Sequence, residues 1–282
     1  MAPDPTPEAR YFHGERRVPA LPPFDRGQAY GDALFETLRA HRGALPWWDA
    51  HWARLAHGAQ RLGLALPDPQ RVRAEAAQLL DGADAVLKLI LSRGAGGRGY
   101  APQMPSGAAQ AEPVWTLSRH PLPPPARAGG MRLRWCELRL AEQPALAGLK
   151  HCNRLEQVLA RAEWDDPDID EGLLRNAAGE VVCATAANVF VLHAQRWTTP
   201  PVDRCGVAGI CRQRLIELSG ASVAPLSVDE LQRADAIFLC NAVRGILPVA
   251  RLGERQWAPH PALAELRRRL GDAHPAFVPG DD

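Results

Sequence analysis

Two lysines, Lys88 and Lys150, stand among 33 basic residues; every other one is an arginine. An arginine- and alanine-rich chain points to a GC-biased coding source, which replaces lysine wherever arginine serves as well. The two survivors are therefore candidates for chemistry that a guanidinium cannot do. A lysine amine, with a reference pKa of ~10.4, becomes a nucleophile or a base once burial or a neighbouring cation lowers that value, whereas arginine stays charged. Lys150 lies in LAGLKHCNRLEQ (146–157), beside His151 and ahead of a helical pattern in which Leu155, Val158, Leu159 and Ala162 form one apolar stripe.

Three other segments have the residues to hold an anion. CGVAGICRQRL (205–215) sets two glycines before an amphipathic helix, whose first amides and positive dipole end suit a phosphate. HWARL (51–55) carries His51 and Arg54 one helical turn apart, which on spacing alone read as solvated surface residues. GAGGRG (94–99) follows a strand and fits the dinucleotide pattern GxGxxG, but the next residues, YAPQMPSGAA, cannot open the helix that pattern requires. It reads instead as a loop whose Arg93, Arg98 and Tyr100 suit a substrate carboxylate, or as a plain hairpin end.

These residues need elements to hold them. GDALFETLRA (31–40) predicts a strand paired with the ALPWW segment beyond the Arg42-Gly43 turn. A helix is expected over 49–64, with Asp49 as N-cap and Gly63 near the C-cap, and a second over 69–80. Strands follow at 85–93 and 113–119. HPLPPPARAGG (120–130) concentrates four prolines and two glycines and reads as a linker. Beyond it come the strand MRLRWCEL, the helix after Lys150, a hairpin EGLLRN–AAGE–VVCATAANVFVL, a short strand near Trp197, the 205–215 loop and helix, and a strand–loop–strand in ADAIFLCNAVRGILPV. The expected organisation is a tail over 1–23, a smaller α/β domain over 24–119, the linker 120–130 and a larger α/β domain over 131–282, with mostly antiparallel sheets.

A net charge of +1 offers no electrostatic case for nucleic acid or an acidic membrane surface. The six cysteines (136, 152, 183, 205, 211, 240) contain no CxxC and no Cys/His ligand spacing, so they read as reduced thiols rather than a zinc site. The N-terminus has no apolar core of a signal peptide, and no apolar run nears the ~18 residues of a membrane span. A cytoplasmic protein is expected.

The order of seven segments carries more than any one of them. DRGQAYGDALFETLR (25–39), HWARLAHGAQRLGL (51–64), SRGAGGRGY (92–100), LKHCNRLEQVLARAE (149–163), DEGLL…GEVV…ANVF (170–190), GVAGICRQ (206–213) and CNAVRGILPV (240–249) occur in succession. This series resembles the fold-type IV pyridoxal-phosphate enzymes, the class of branched-chain and D-amino-acid aminotransferases. Within it, SRGAGGRGY, KHCNRLEQVLARAE and CNAVRGILPV are most similar to the aminodeoxychorismate lyase group, which makes 4-aminobenzoate and pyruvate from 4-amino-4-deoxychorismate on the folate pathway. An aminotransferase, or a non-catalytic relative, is the alternative. The likeness runs from about residue 24 to about 255.

The resemblance implies a role for particular residues. Lys150 matches the lysine that forms a Schiff base with pyridoxal 5'-phosphate and then serves as general base. Arg54 matches the arginine on the cofactor phosphate; Gly209, Ile210 and Cys211 match the helix-start amides on the same group. Val207 matches the aliphatic residue against the pyridine ring, and Asn241 and Ala242 the remaining phosphate-side loop. Arg39, Arg98 and Arg244, with Tyr30 and Tyr100, are the candidates for the substrate. A homodimer is implied, its active site between the two domains and closed by loops of the partner chain; no metal is implied. Cys183 stands where relatives carry a glutamate that keeps the pyridine nitrogen protonated and the ring a strong electron sink. A thiol is a poor substitute, and Glu180, three residues earlier on a strand, points to the other face. A weaker sink favours elimination, which aromatisation of the product ring drives, over amino transfer.

Overall fold

The computed structural model describes residues 8–96, 99–102 and 112–278. The chain divides into two units, Met1–Leu122 with Lys150–Asn153, and Pro123–Leu149 with Arg154–Asp282. The first break falls inside the proline-rich segment 120–130. The second lifts four residues around Lys150 out of the later sequence.

The first unit is built on β1 (Glu8–His13), β2 (Arg16–Val18), α1 (Arg26–Tyr30), β3 (Ala33–Ala40), α2 (Trp48–Leu62), α3 (Pro69–Leu80), β4 (Ala85–Ser92) and β5 (Val114–His120). Its sheet runs in the order β2-β1-β5-β4-β3. The expected tail over 1–23 is corrected from Glu8 onward: β1 pairs along β5, and Phe12 stacks on Trp115 with ring centroids 3.8 Å apart. Aromatic burial fixes this stretch despite its prolines. ALPWW is not a strand either. A tight turn with a single bridge between His41 and Ala44 turns the chain away, Trp47 in the left-handed region starts α2, and Asp49 lies in the first turn rather than at the cap.

The two faces of this sheet differ in kind. Leu34, Leu38, Leu87, Leu89 and Leu91 are buried on the face toward which α2 presents Leu55 and Ala59. The opposite face, with side chains alternating along each strand, holds Phe35, Thr37 and Arg39 on β3, against Ile90, Lys88 and Val86 on β4. Phe35, Thr37, Arg39, Lys88 and Ile90 are only half-buried.

The second unit contains β6 (Met131–Leu140), α4 (Leu155–Arg161), β7 (Glu171–Asn176), β8 (Val181–Ala184), β9 (Asn188–His193), β10 (Arg196–Thr199), α5 (Ile210–Ser219), β11 (Ser222–Val223), α6 (Val228–Arg233), β12 (Ala236–Asn241), β13 (Gly245–Leu252), β14 (Arg255–Gln256) and α7 (Pro261–Ala273). Its sheet has the order β11-β10-β9-β12-β13-β6-β7-β8, with β14 on β13. Near-continuous apolar runs such as AIFLC in β12 and NVFVL in β9 are buried on both faces. The expected run VVCATAANVFVL is two strands. β8 pairs with β7 and β9 with β12, and Thr185–Ala187 carry the chain from one to the other.

The apolar stripe of α4 does not face a core. Leu155 is 75% exposed, Val158 59% and Leu159 61%. The helix forms where the period places it, but its apolar side is turned to solvent within this chain. Among the described residues no helix is long and apolar enough to cross a membrane.

Candidate functional site

Lys150 is not on a helix. Residues 150–152 extend along the outer edge of β3, where the Phe35 amide donates to the Lys150 carbonyl at 2.9 Å and the Cys152 amide to the Ala33 carbonyl at 2.9 Å. The Asn153 side-chain amide closes the segment on the Gly31 carbonyl at 3.1 Å. An edge strand offers unpaired backbone groups to any extended segment, and here that pairing fixes the lysine. Its Nζ sits 4.1 Å from the Phe35 ring centre, and the Nζ of Lys88 lies 5.4 Å from the same ring. Arg39 is on this face too. Burial pulls its guanidinium pKa down, with Asp84 opposing that shift. The chain's two lysines and a candidate arginine thus share the half-buried face of one sheet. Lys88 was noted in the sequence for its rarity alone; the strand alternation of VLKLIL is the signal that puts it on the same face as Phe35.

Behind the sheet is a second charged group. Glu36, 2% exposed, takes Arg54 Nε on Oε1 at 2.8 Å, Arg54 Nη2 on Oε2 at 2.5 Å, and bonds His51 Nδ1 through Oε2 at 2.6 Å. The solvated reading of HWARL is therefore corrected. His51 is 2% exposed and the Arg54 side chain 12%, because positions 51, 54 and 55 all fall on the sheet side of α2. Burial alone would raise the Glu36 pKa; the charge of Arg54 and the bonds from His51 and Arg54 outweigh it and hold the carboxyl at about 2. Sequence reading passed over Glu36. An acidic residue at an inward position of an alternating strand is the mark it leaves.

Of the substrate candidates in this unit, Tyr30 and Tyr100 meet edge to face at 5.4 Å. Arg26 donates to the carbonyls of Gly99 and Tyr100 at 3.0 and 2.9 Å and stands 5.0 Å over the Tyr30 ring. Arg93, a candidate for a substrate carboxylate in the sequence, is held within this unit. Its guanidinium is committed to Asp32 at 2.6 and 3.0 Å and to the carbonyls of Leu62 and Gly63, closing the end of α2. Arg98 lies outside the described residues.

The second unit contributes a cradle of backbone. Gly148 and Val207 form a parallel bridge, with the Ala208 amide donating to the Gly148 carbonyl and the Gly148 amide to the Gly206 carbonyl, each at 3.0 Å. Asn188 Nδ2 donates to the Val207 carbonyl at 3.0 Å. Gly209 starts α5 with no side chain capping the first turn, where Ile210 and Cys211 sit. A methyl group there would meet Asn188 Oδ1 at 2.1 Å, so the position admits only glycine without rearrangement. Cys211 is fully buried and its thiol bonds that of Cys240, which leaves its amide as the group it can offer. Asn241 Oδ1 accepts from the amides of Val243 and Arg244 at 3.1 and 2.9 Å and shapes the turn that contains Ala242. The Arg244 side chain donates to the Pro124 carbonyl at an exposed position.

Cys183 is 7% exposed and packs among Cys136, Leu174, Val182 and Cys205. Burial pushes its thiol up to about 12, with Cys205 adding to the shift. Glu180 is held by Asn176 Nδ2 at 2.8 Å. A nearby carboxylate the sequence reading missed, Glu171, takes the Thr185 hydroxyl at 2.5 Å and the Gly172 amide at 2.8 Å, bracing the turn after β8.

Residues 33–252 match the model of the amino-transferase class IV family. The chain belongs to that family. Among class IV relatives it is 35% identical over 260 residues to an aminodeoxychorismate lyase of Vibrio harveyi, covering 89% of this chain and 94% of that one. The crystal structure of 4-amino-4-deoxychorismate lyase from Pseudomonas aeruginosa superimposes with a TM-score of 0.84 at 42% identity, over 93% of this chain and 98% of that one. A putative branched-chain-amino-acid aminotransferase of Methanocaldococcus jannaschii is 29% identical over 82% of each chain. The mixed α/β architecture is that of the fold-type IV class, as the class IV match and the lyase structure agree.

Proposed function

We propose that this class IV protein is an aminodeoxychorismate lyase, which eliminates pyruvate from 4-amino-4-deoxychorismate and leaves 4-aminobenzoate for folate synthesis, with pyridoxal phosphate as cofactor. The observation that carries the reading is the 42% identity over nearly the whole of both chains to a lyase of that name. Its charges suit the substrate. Arg39 and Lys88 on one half-buried face offer cations to a cyclic dicarboxylic acid, and Phe35, between Lys88 and Lys150, offers it an apolar wall.

The residues also suit the cofactor. An uncapped helix start with no room for a side chain at Gly209 is a phosphate cradle, and Arg54, oriented by Glu36, is a phosphate partner. Val207, pinned through its carbonyl by Asn188, has its side chain available to the ring, and the Asn241 turn carrying Ala242 is the further phosphate-side loop. When bound, pyridoxal phosphate supplies an aldehyde that captures amines and a ring that draws electrons from the carbon next to nitrogen. Lys150 would be the amine that holds this aldehyde, and its Nζ would be the base that moves the proton; Phe35 and the edge pairing of 150–152 hold the lysine in place. Tyr30, Tyr100, Arg98 and Arg244 remain candidates for the substrate.

Cys183 sharpens the choice of reaction. A thiol held near 12 stays neutral at physiological pH, so it gives the pyridine nitrogen no carboxylate. The weak sink that results suits an elimination driven by aromatisation better than amino transfer. Six free cysteines fit a reducing, cytoplasmic setting. The exposed stripe Leu155, Val158 and Leu159 supports a homodimer, since apolar side chains at this spacing are a surface for a second copy; sedimentation tests it. The decisive experiment measures pyruvate release from aminodeoxychorismate, with and without added pyridoxal phosphate, beside keto-acid-dependent amino transfer. Transfer without pyruvate release would overturn the lyase reading.

A further inference from the structure

We propose that His51 is a second donor to the anion that Arg54 holds, and that it takes up a proton from solvent when that anion binds. The inference rests on the cofactor reading above, in which the anion is the phosphate of pyridoxal phosphate.

His51 and Arg54 lie one turn apart on α2 and converge on Glu36. A carboxylate accepts, so the hydrogen of the 2.6 Å contact sits on His51 Nδ1, and Nε2 is the atom whose protonation is open. Nε2 is buried and, among the described residues, has no hydrogen-bond partner. A buried polar atom left in that state costs free energy, and native proteins retain few of them except where a ligand or water completes the set. The groups that face this imidazole are Glu36 on β3, Arg54 on its own helix and Lys150 on the edge segment. Burial, opposed by the Glu36 contact and reinforced by the charges of Arg54 and Lys150, pulls its pKa below the usual value and leaves it neutral in the free protein.

An arriving dianion changes the balance. Glu36 already offsets one positive charge, that of Arg54, so the pair alone is a weak receptor for two negative charges. A proton on Nε2 adds one positive charge and converts the orphan acceptor into a charge-assisted donor, while Nδ1 stays on Glu36.

Calorimetric titration of the full chain at pH 7.5, in two buffers of different ionisation enthalpy, tests this with pyridoxal phosphate and with pyridoxal. The two ligands share the aldehyde, so their difference in proton uptake isolates the phosphate end. The wild type is expected to take up close to one proton more with pyridoxal phosphate. His51→Asn keeps an N–H for Glu36 but removes Nε2. It is expected to abolish that difference and weaken pyridoxal phosphate about tenfold, with pyridoxal unchanged. Equal proton counts for the two ligands in the wild type overturn the assignment without recourse to any variant. So does a difference that survives in His51→Asn, because the proton is then on the phosphate. A wild type that binds neither ligand rejects the cofactor reading itself, and this inference with it.

Discussion

Two buried polar regions in this chain solve the same problem in opposite ways. Around Glu36, charge is kept inside by pairing: one carboxylate at 2% exposure takes Arg54 and His51 together and stays ionised. Around Cys183, charge is avoided: the thiol lies among hydrocarbon and other thiols and stays protonated. The desolvation penalty on an ion is several kcal/mol and must be offset by geometry, whereas a neutral thiol incurs almost none. In the proposed function the first unit therefore supplies the side-chain charge. The second offers shape and backbone amides, at Gly209 and along the 205–209 loop.

The comparison is broken most directly at Lys150. Lys150→Ala is expected to lower pyruvate release by at least about 10³-fold, the scale of losing a nucleophile and base together; Lys88→Ala should retain the bound cofactor's absorbance. If Lys150→Ala keeps both turnover and that absorbance, the reactive amine is elsewhere. Next in size is Glu36→Gln, which leaves Arg54 buried opposite a neutral amide. A loss of ~3–5 kcal/mol in urea unfolding is expected, as for other broken buried pairs. The same group sets an acid limit. Its folded-state pKa of about 2 lies below the ordinary value near 4.5, so its stabilisation is complete above about 4.5 and lost as pH falls through about 2. Stability that is flat across that window in the wild type would contradict the pairing.

Legibility followed the same division. Strand and helix periods were readable wherever local pattern decides: α3 occupies Pro69–Leu80 with Asp68 as its cap, and the β7–β8 hairpin turns at AAGE. What escaped was set by partners far along the chain. β1 owes its existence to β5, and Lys150 is extended because β3 had an open edge, not because of anything in LKHCN. The stripe on α4 has a clean helical period, but period does not say what covers it. Arg54 was found by likeness, while Glu36, which orients it, came into view only when the strand's inward face was known.

Gly209→Ala tests the cradle. Its methyl would collide with Asn188 Oδ1, so either the Asn188–Val207 bond or the start of α5 must shift. About 1–3 kcal/mol of stability should go, as in other overpacked sites, together with affinity for pyridoxal phosphate but not for pyridoxal. Stability and affinity both at wild-type level would show that the cradle is looser than its contacts imply.

The smallest effect is the most discriminating. If the Cys183 thiol only fills space, Cys183→Ala should cost about 1 kcal/mol, leave kcat within about threefold and leave the pH profile of kcat/KM unmoved between pH 6 and 9, since a group held near 12 does not titrate there. Cys183→Glu is the converse. It puts a carboxylic acid among Leu174, Val182 and Cys205, where burial favours its neutral form unless a protonated pyridine nitrogen pairs with it. A shift in the bound cofactor's absorbance in Cys183→Glu alone would mean that the ring nitrogen is unprotonated in the wild type and meets its first carboxylate in the variant. An absorbance identical in all three proteins would mean that the nitrogen already has a partner, and the contrast between a charged and a neutral region would no longer bear on the reaction.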